Sequence, residues 1–432
     1  MIQNSLMTNT DEALDLFTAK LFSYILVLGI LPSFIIYHIR LQHLSLHKEL
    51  YRKFKIVVLA IVIIFSQFLI SGKFYSSFFR EHKSIRYYAN PIIFLYSSVK
   101  YIDNKFNTGS KMLTLLEHNA KIPISDIERE LVILVVGETA RSDRFSLNGY
   151  TKKTNPLLEQ EQVYSFRNVT SCGTSTAVSV PCMFSNVNSN KFDQETAHST
   201  ENLLDVLKSA GVNVLWRDNN SDSKHVALRV PFENYRTPDN NPVCDTECRD
   251  IGMLSGLPEY IKSKKSGDIL IVLHQMGNHG PAYYKRYPKA FEVFTPACQT
   301  NQFEDCSLEE ISNAYDNAIL YTDYFLSNVI QLLKKYDNRF ETSMVYISDH
   351  GESLGENGVF LHGLPDFMAP KSQKNVGAIF WFGNNYEDIN IKAFELKKDN
   401  PFSHDSLFHT MLGIFEVDSD VYIKQMDMID YI

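Results

Sequence analysis

The sequence predicts an α/β fold, a mostly parallel sheet flanked by helices, carried behind an N-terminal transmembrane helical region. Three observations lead there. Two long apolar runs fall within the first 70 of 432 residues, short apolar runs alternate with amphipathic stretches from Leu131 onward, and all six cysteines lie downstream of both long runs. Composition agrees, since 432 residues with 44% hydrophobic and 21% charged content can bury one large core and leave a smaller appended part. The formal net charge of -8 argues against nucleic acid as a partner, whose footprint would be basic.

Residues 21–37 (LFSYILVLGILPSFIIY) and 56–70 (IVVLAIVIIFSQFLI), each with apolar flanks, approach the roughly 20 residues that a membrane-spanning helix needs. A buried core helix would have the same composition, but two runs so close in sequence favour spans, at about 21–37 and 55–71 of a transmembrane region 1–71. Neither run has a signal peptide's basic start and small-residue cleavage site, so both are expected to be retained. The loop between them carries Arg40, Lys48, Arg52, Lys53 and Lys55 against Glu49, whereas the preceding tail holds Asp11, Glu12 and Asp15. By the positive-inside rule that loop is cytoplasmic, which places everything after Ile70 on the far side of the membrane.

Residues 72–130 mix aromatic and basic side chains, among them Phe74, Tyr75, Phe78, Phe79, Tyr87, Tyr88, Phe94 and Tyr96 with Lys73, Arg80, Lys83 and Arg86. That mixture suits an interfacial helical linker, and equally a connector packed on the following domain. From residue 131 to 432 the catalytic domain is expected. Within it 131–136, 212–216, 268–274, 343–348 and 376–382 read as strands, and 200–210 and 307–336 as the clearest helices. Strands alternating with helices imply a largely parallel sheet.

The cysteines fall into three close-spaced pairs, Cys172 with Cys182, Cys244 with Cys248 and Cys298 with Cys306, fitting a compartment where disulfides persist. Proximity alone guides that pairing. A cysteine zinc site is the competing reading, against which stands the lack of a paired C-x-x-C pattern.

In open α/β sheets ligands bind beyond the carboxyl ends of strands, and Glu138, Asp218, His274 and Asp349 each closely follow a predicted strand. Glu138 with Asp349 and His350 supplies two carboxylates and an imidazole, a set that suits zinc with an open position. Thr176 is the fourth ligand in this reading, its weak hydroxyl made nucleophilic by a divalent cation. Taken singly, Asp349-His350-Gly351 reads as turn chemistry and Glu138 as a helix-capping acid; the joint pattern is more specific. Gly173-Thr174-Ser175-Thr176 leads into Ala177-Val178-Ser179, so Thr176 is expected near a helix start, where backbone N–H groups favour a phosphate.

Gly137-Glu138-Thr139-Ala140-Arg141, Ser171-Cys172-Gly173-Thr174-Ser175-Thr176 with Pro181-Cys182, Trp216-Arg217-Asp218-Asn219-Asn220 through Lys224, Gln275-Met276-Gly277-Asn278-His279-Gly280-Pro281 and Ser348-Asp349-His350-Gly351-Glu352 occur in that order. Together they resemble the lipid A phosphoethanolamine transferases of the alkaline phosphatase and sulfatase superfamily. The resemblance implies that Thr176 is the nucleophile, that Glu138, Thr176, Asp349 and His350 hold a catalytic Zn2+, and that Thr139 is structural. It also places Asn220, Lys224, His279, Glu352 and His362 around phosphoethanolamine and its acceptor. Lys224 then offsets phosphate charge, Glu352 meets the ammonium, and His279 or His362 shuttles a proton. The two histidines are equally a pair for a second metal.

The implied reaction takes phosphoethanolamine from phosphatidylethanolamine to Thr176 and then to a phosphate of lipid A, in a multi-pass protein of the bacterial inner membrane with a periplasmic catalytic domain. Resistance to polymyxin is the implied outcome. Family members usually carry five transmembrane helices, so with two candidate runs this chain is expected to lack the first three. The alternatives are a phosphatase or sulfatase of the same superfamily, a transferase acting on a lipopolysaccharide core sugar, and a non-enzymatic membrane scaffold. Intact Glu138, Thr176, Asp349 and His350 speak against the last.

Overall fold

A computed structural model of the protein describes residues 18–39, 45–81, 91, 93–99, 113–116, 119–386 and 388–432, with 68, 69 and 71–81 described as backbone. After residue 15 the chain divides into two compact units, Leu16–Ser110 and Lys111–Ile432. In the first, helix α1 (Ala19–His38) is capped by the Thr18 hydroxyl, which accepts the Leu21 N–H at 3.1 Å, and is long and apolar enough to cross a membrane. Helix α2 (Leu46–Glu81) contains the second apolar run, whose described large side chains up to Phe65 are exposed. Of the aromatic residues expected in the linker, Phe94 and Tyr96 are described and exposed, while the side chains of Phe74, Tyr75, Phe78, Phe79, Tyr87 and Tyr88 lie outside the described residues.

The second unit is built on an eight-stranded sheet. Its strands are β1 (Glu130–Gly137), β2 (Tyr164–Thr170), β3 (Asn213–Asp218), β4 (Phe232–Asn234), β5 (Ile269–His274), β6 (Glu341–Ser348), β9 (Asn375–Phe382) and β10 (Phe402–Ser403); β7 (Ser353–Leu354) and β8 (Phe360–Leu361) form a separate ribbon. The order β10-β2-β9-β6-β1-β5-β3-β4 is parallel except where β9 runs antiparallel to both β2 and β6. Expected strand 376–382 is therefore present as β9 but reversed. A run of apolar residues specifies burial on both faces and not direction.

Continuous apolar strands are explained by helices on both faces. Val132, Leu134 and Val136 of β1 join the core beneath helices α3 (Thr176–Met183), α4 (Leu203–Ser209) and α7 (Asp405–Ile414). Leu131, Ile133 and Val135 face the opposite core, whose main helix is α6 (Leu308–Leu333); α5 (Leu257–Ser263) completes that layer. Helix α6 starts in a capping box, with the Ser307 hydroxyl accepting the Glu310 N–H and Glu310 reaching back to the Ser307 N–H. The residues before β1 belong to this unit: Thr114 bridges Thr200, Lys121 bridges Asp418, and Leu116, Ala120 and Ile122 pack on the first core.

Candidate metal and nucleophile site

The carboxyl ends of β1, β5, β3 and β6 bring together residues far apart in sequence. Glu138 follows β1 and Asp349-His350 follows β6, which pairs in parallel register with β1 through Gly137 and Ser348. One donor atom from each of Glu138, Asp349 and His350 lies within 4.8 Å of the others, and all three residues are buried. Thr176 is the first residue of α3, and its hydroxyl donates to Glu138 Oε2 at 3.1 Å while lying 3.4 Å from His350 Nε2. The loop bearing it is closed by the Cys172–Cys182 disulfide. Gly173 is required there, because a Cβ would sit 2.9 Å from Val178 Cγ1. Cys244–Cys248 and Cys298–Cys306 are also bonded, as the spacing suggests.

The electrostatics of this cluster fit a cation. His350 Nδ1–H donates to the Gly351 carbonyl at 3.0 Å, so Nε2 presents its lone pair to the cluster. Burial, aided by His362 and opposed by Asp349, holds that imidazole neutral, with its pKa down at about 3. Burial opposes ionisation of Asp349, yet its carboxyl stays below the usual range, helped by the Thr139 N–H that it accepts. Asp349 Oδ1 accepts from the N–H groups of Thr139 and His350 at 3.2 and 2.7 Å, whereas the buried Oδ2 has no hydrogen-bond donor. Two carboxylates, an imidazole lone pair and an alcohol oxygen thus converge with one hydroxyl proton among them. Such a donor set is stable around a divalent cation and costly without one.

The remaining expected residues divide. Glu352 Oε2 accepts from His362 Nδ1 at 3.2 Å, Oε1 is buried with no donor, and the His362 ring lies 4.3 Å from His350 and 5.7 Å from His279. These form a polar rim beside the ligand group. Asn220 instead points at the ligands: its amide donates to Glu138 Oε2 and to the Gln275 carbonyl, both at 2.8 Å. Lys224 is buried, donates to Ser221 Oγ at 2.7 Å, and lines a small open cleft with His198, Asn202 and His225. Left-handed backbone at Asp222, Lys224 and His225 marks that turn as strained. Thr139, also left-handed at φ 52°, acts through its backbone, its carbonyl accepting Tyr315 OH at 2.6 Å. Gly277 is needed because a Cβ there would approach Glu138 O to 3.0 Å at a positive φ.

Sequence reasoning missed His404. Its Nδ1 accepts the Cys172 N–H at 3.2 Å and its Nε2–H donates to the Ser348 carbonyl at 3.0 Å, tying the nucleophile loop to the strand that ends in the ligands. A lone histidine before α7 carries no local pattern that would announce this bridge.

Comparison with known proteins accords with the geometry. The family model described as Sulfatase matches residues 130–417, and the one described as Phosphoethanolamine transferase EptA/EptB matches residues 1–106. Phosphatidylethanolamine transferase Mcr-1 of Escherichia coli is 43% identical over 433 residues, covering 97% of this chain and 79% of that protein. This chain belongs to the phosphoethanolamine transferase family. The structure of the integral membrane protein lipooligosaccharide phosphoethanolamine transferase A from Neisseria meningitidis superposes on this transferase with a TM-score of 0.92 at 35% identity, over 99% of this chain and 81% of that one. The C-terminal periplasmic domain of phosphoethanolamine transferase EptC from Campylobacter jejuni is 40% identical with a TM-score of 0.66, over 73% of this chain and 97% of that one.

Proposed function

We propose that this transferase moves phosphoethanolamine from phosphatidylethanolamine to a phosphate of lipid A through a phosphothreonine at Thr176, with zinc held by Glu138, Thr176, Asp349 and His350. The observation that carries the reading is the Thr176 hydroxyl, at the first position of α3 and within reach of both Glu138 Oε2 and His350 Nε2. Zinc bound there would lower the pKa of that hydroxyl and draw charge from a phosphoryl oxygen.

In the first half-reaction Thr176 Oγ1 forms a bond to the donor phosphorus and the bond from phosphorus to the diacylglycerol oxygen breaks. The proton lost by Thr176 ends on that oxygen, with His279 or His362 as carrier. Backbone N–H groups at the start of α3 face the developing phosphoryl charge, and Lys224 offsets it once its ammonium turns from Ser221. Glu352 Oε1, buried without a donor, is the acceptor for the ethanolamine ammonium. In the second half-reaction a lipid A phosphate oxygen forms a bond to the same phosphorus, the bond from phosphorus to Thr176 Oγ1 breaks, and the proton lost by the attacking phosphate hydroxyl returns to Oγ1 through the same histidine. Adding a cation to lipid A reduces the negative charge that polymyxin and other cationic peptides bind.

The same reading assigns residues 1–71 to a transmembrane region and the stretch from 72 to an interfacial linker whose last part, from Lys111, already packs on the periplasmic catalytic domain, in a multi-pass protein of a bacterial inner membrane. Both substrates are lipids, which gives the anchor its purpose. The test is the intact mass of zinc-loaded protein after incubation with phosphatidylethanolamine. One added phosphoethanolamine, absent in Thr176→Ala or after chelation and cleared by lipid A, is expected. Free phosphoethanolamine released without an acceptor would instead make the protein a hydrolase.

A further inference from the structure

Asp218 and His274 close β3 and β5 side by side in parallel register, and the proposed reaction uses neither. Both are buried, at 1% and 0% exposure, beneath the ligand group. The Asp218 carboxylate is saturated with donors. Its Oδ2 accepts Trp216 Nε1–H at 2.9 Å and His274 Nδ1–H at 2.8 Å, and its Oδ1 accepts the N–H groups of Asn220 and Asp222 at 3.0 and 3.2 Å. Four donors match the roughly four lone-pair sites of an ionised carboxylate, so the arrangement calls for the charged acid and for no other side chain.

The two backbone bonds have a directional consequence. They fold the chain tightly after β3, and from that fold Asn220 extends its amide to Glu138 Oε2 and the Gln275 carbonyl. Glu138 Oε2 is the same atom that accepts the Thr176 hydroxyl. A continuous chain of hydrogen bonds therefore runs from His274 through Asp218 and Asn220 to Glu138 and the nucleophile. A carboxylate with free torsions would otherwise sample orientations that point its oxygens away from the cation, and binding would have to select the competent one.

We propose that Asp218 and His274 are positioning residues of the metal centre: His274 locks Asp218, Asp218 sets the 219–222 turn, and the turn delivers Asn220 to orient Glu138 for zinc. The proposal rests on the metal reading given above. Outer partners of this kind change metal affinity by about 10- to 100-fold when removed.

Asp218→Asn leaves one acceptor oxygen and turns two amide hydrogens toward existing donors. His274→Phe removes the Nδ1–H bond, whereas His274→Asn places an amide N–H where Nδ1–H stood; Nε2 makes no hydrogen bond, so Asn keeps the one bond that matters. The experiment is zinc titration of the full-length protein in detergent against a chromophoric chelator, with thermal melting of each metal-free variant alongside. Zinc binding about 10- to 100-fold weaker in Asp218→Asn and His274→Phe, and within about threefold of the unsubstituted protein in His274→Asn, is the expected result. A purely structural role would lower the metal-free melting temperature and leave zinc affinity of the folded protein unchanged, which overturns the proposal. If Asp218→Asn does not fold, the two His274 variants decide, and equal zinc affinity between them overturns it. Failure of the unsubstituted protein to bind zinc removes the metal reading and this inference together, whereas normal zinc binding in every variant removes this inference alone.

Discussion

Residues 131–136 and 56–64 are written in nearly the same letters, LVILVV and IVVLAIVII, and meet opposite surroundings. In β1 all six side chains are 0% exposed, while the large side chains from Ile56 to Ile64 in α2 are 41% to 68% exposed. Composition says only that both must leave water. Length and edges choose how. The shorter run is closed by Glu130 and Gly137 and is buried in a protein core as a strand, whereas the longer continues through Phe65 in a 36-residue helix, about 54 Å at 1.5 Å per residue, with its described large side chains exposed.

That contrast can be broken at either end. Leu134→Ala opens a cavity between β1 and its helices and should cost about 2–5 kcal/mol in denaturant unfolding of the α/β unit, with membrane retention untouched; a loss under about 1 kcal/mol would mean that β1 is not the packed centre. Leu59→Asp should oppose insertion by roughly 3–4 kcal/mol, read as protein extracted from membranes at alkaline pH. Its melting of the α/β unit should match the unsubstituted protein, and a lowered midpoint would show that α2 buries this face in protein rather than lipid.

Two smaller effects sharpen the aqueous side. Ser307→Ala removes the cap of α6 and should destabilise the α/β unit by about 1 kcal/mol, and Ser307→Asp should restore it. The smallest is visible only as a slope. Burial lowers the His404 pKa from 6.5 to about 4, so the native state keeps this imidazole neutral while the unfolded chain protonates. Its contribution is present above pH 6.5 and is lost as pH falls through about 4. His404→Gln should flatten stability against pH across that window, whatever its effect on absolute stability, and an unchanged slope would show that His404 does not titrate as described.

Legibility differed between the two parts of the site for a physical reason. Glu138, Asp349 and His350 could be found because each directly follows an apolar strand, and parallel strands deliver their carboxyl ends to one edge of a sheet. Strand β2 carries no such mark, since Tyr164–Thr170 holds Arg167 and Asn168 and is only partly buried. The resemblance places Asn220 around the substrate, and no local pattern announces that its amide donates to Glu138 and to the Gln275 carbonyl. For Lys224, which the resemblance places beside the phosphate, the sequence likewise does not show that its ammonium donates to Ser221.

By itself the sequence determined where the long apolar runs lie, where five of the sheet's eight strands lie, how the cysteines pair and which side chains could ligate a metal. Each of these depends on local order, on runs, spacings and neighbours along the chain. Only the tertiary structure decided that β9 runs backwards between β2 and β6, that His404 joins Cys172 to Ser348, and that Asp218 and His274 underlie Glu138 through Asn220. Strand direction and buried hydrogen-bond partners are set by contacts between residues up to hundreds of positions apart, and an isolated histidine or aspartate carries no local mark of the donor it will meet.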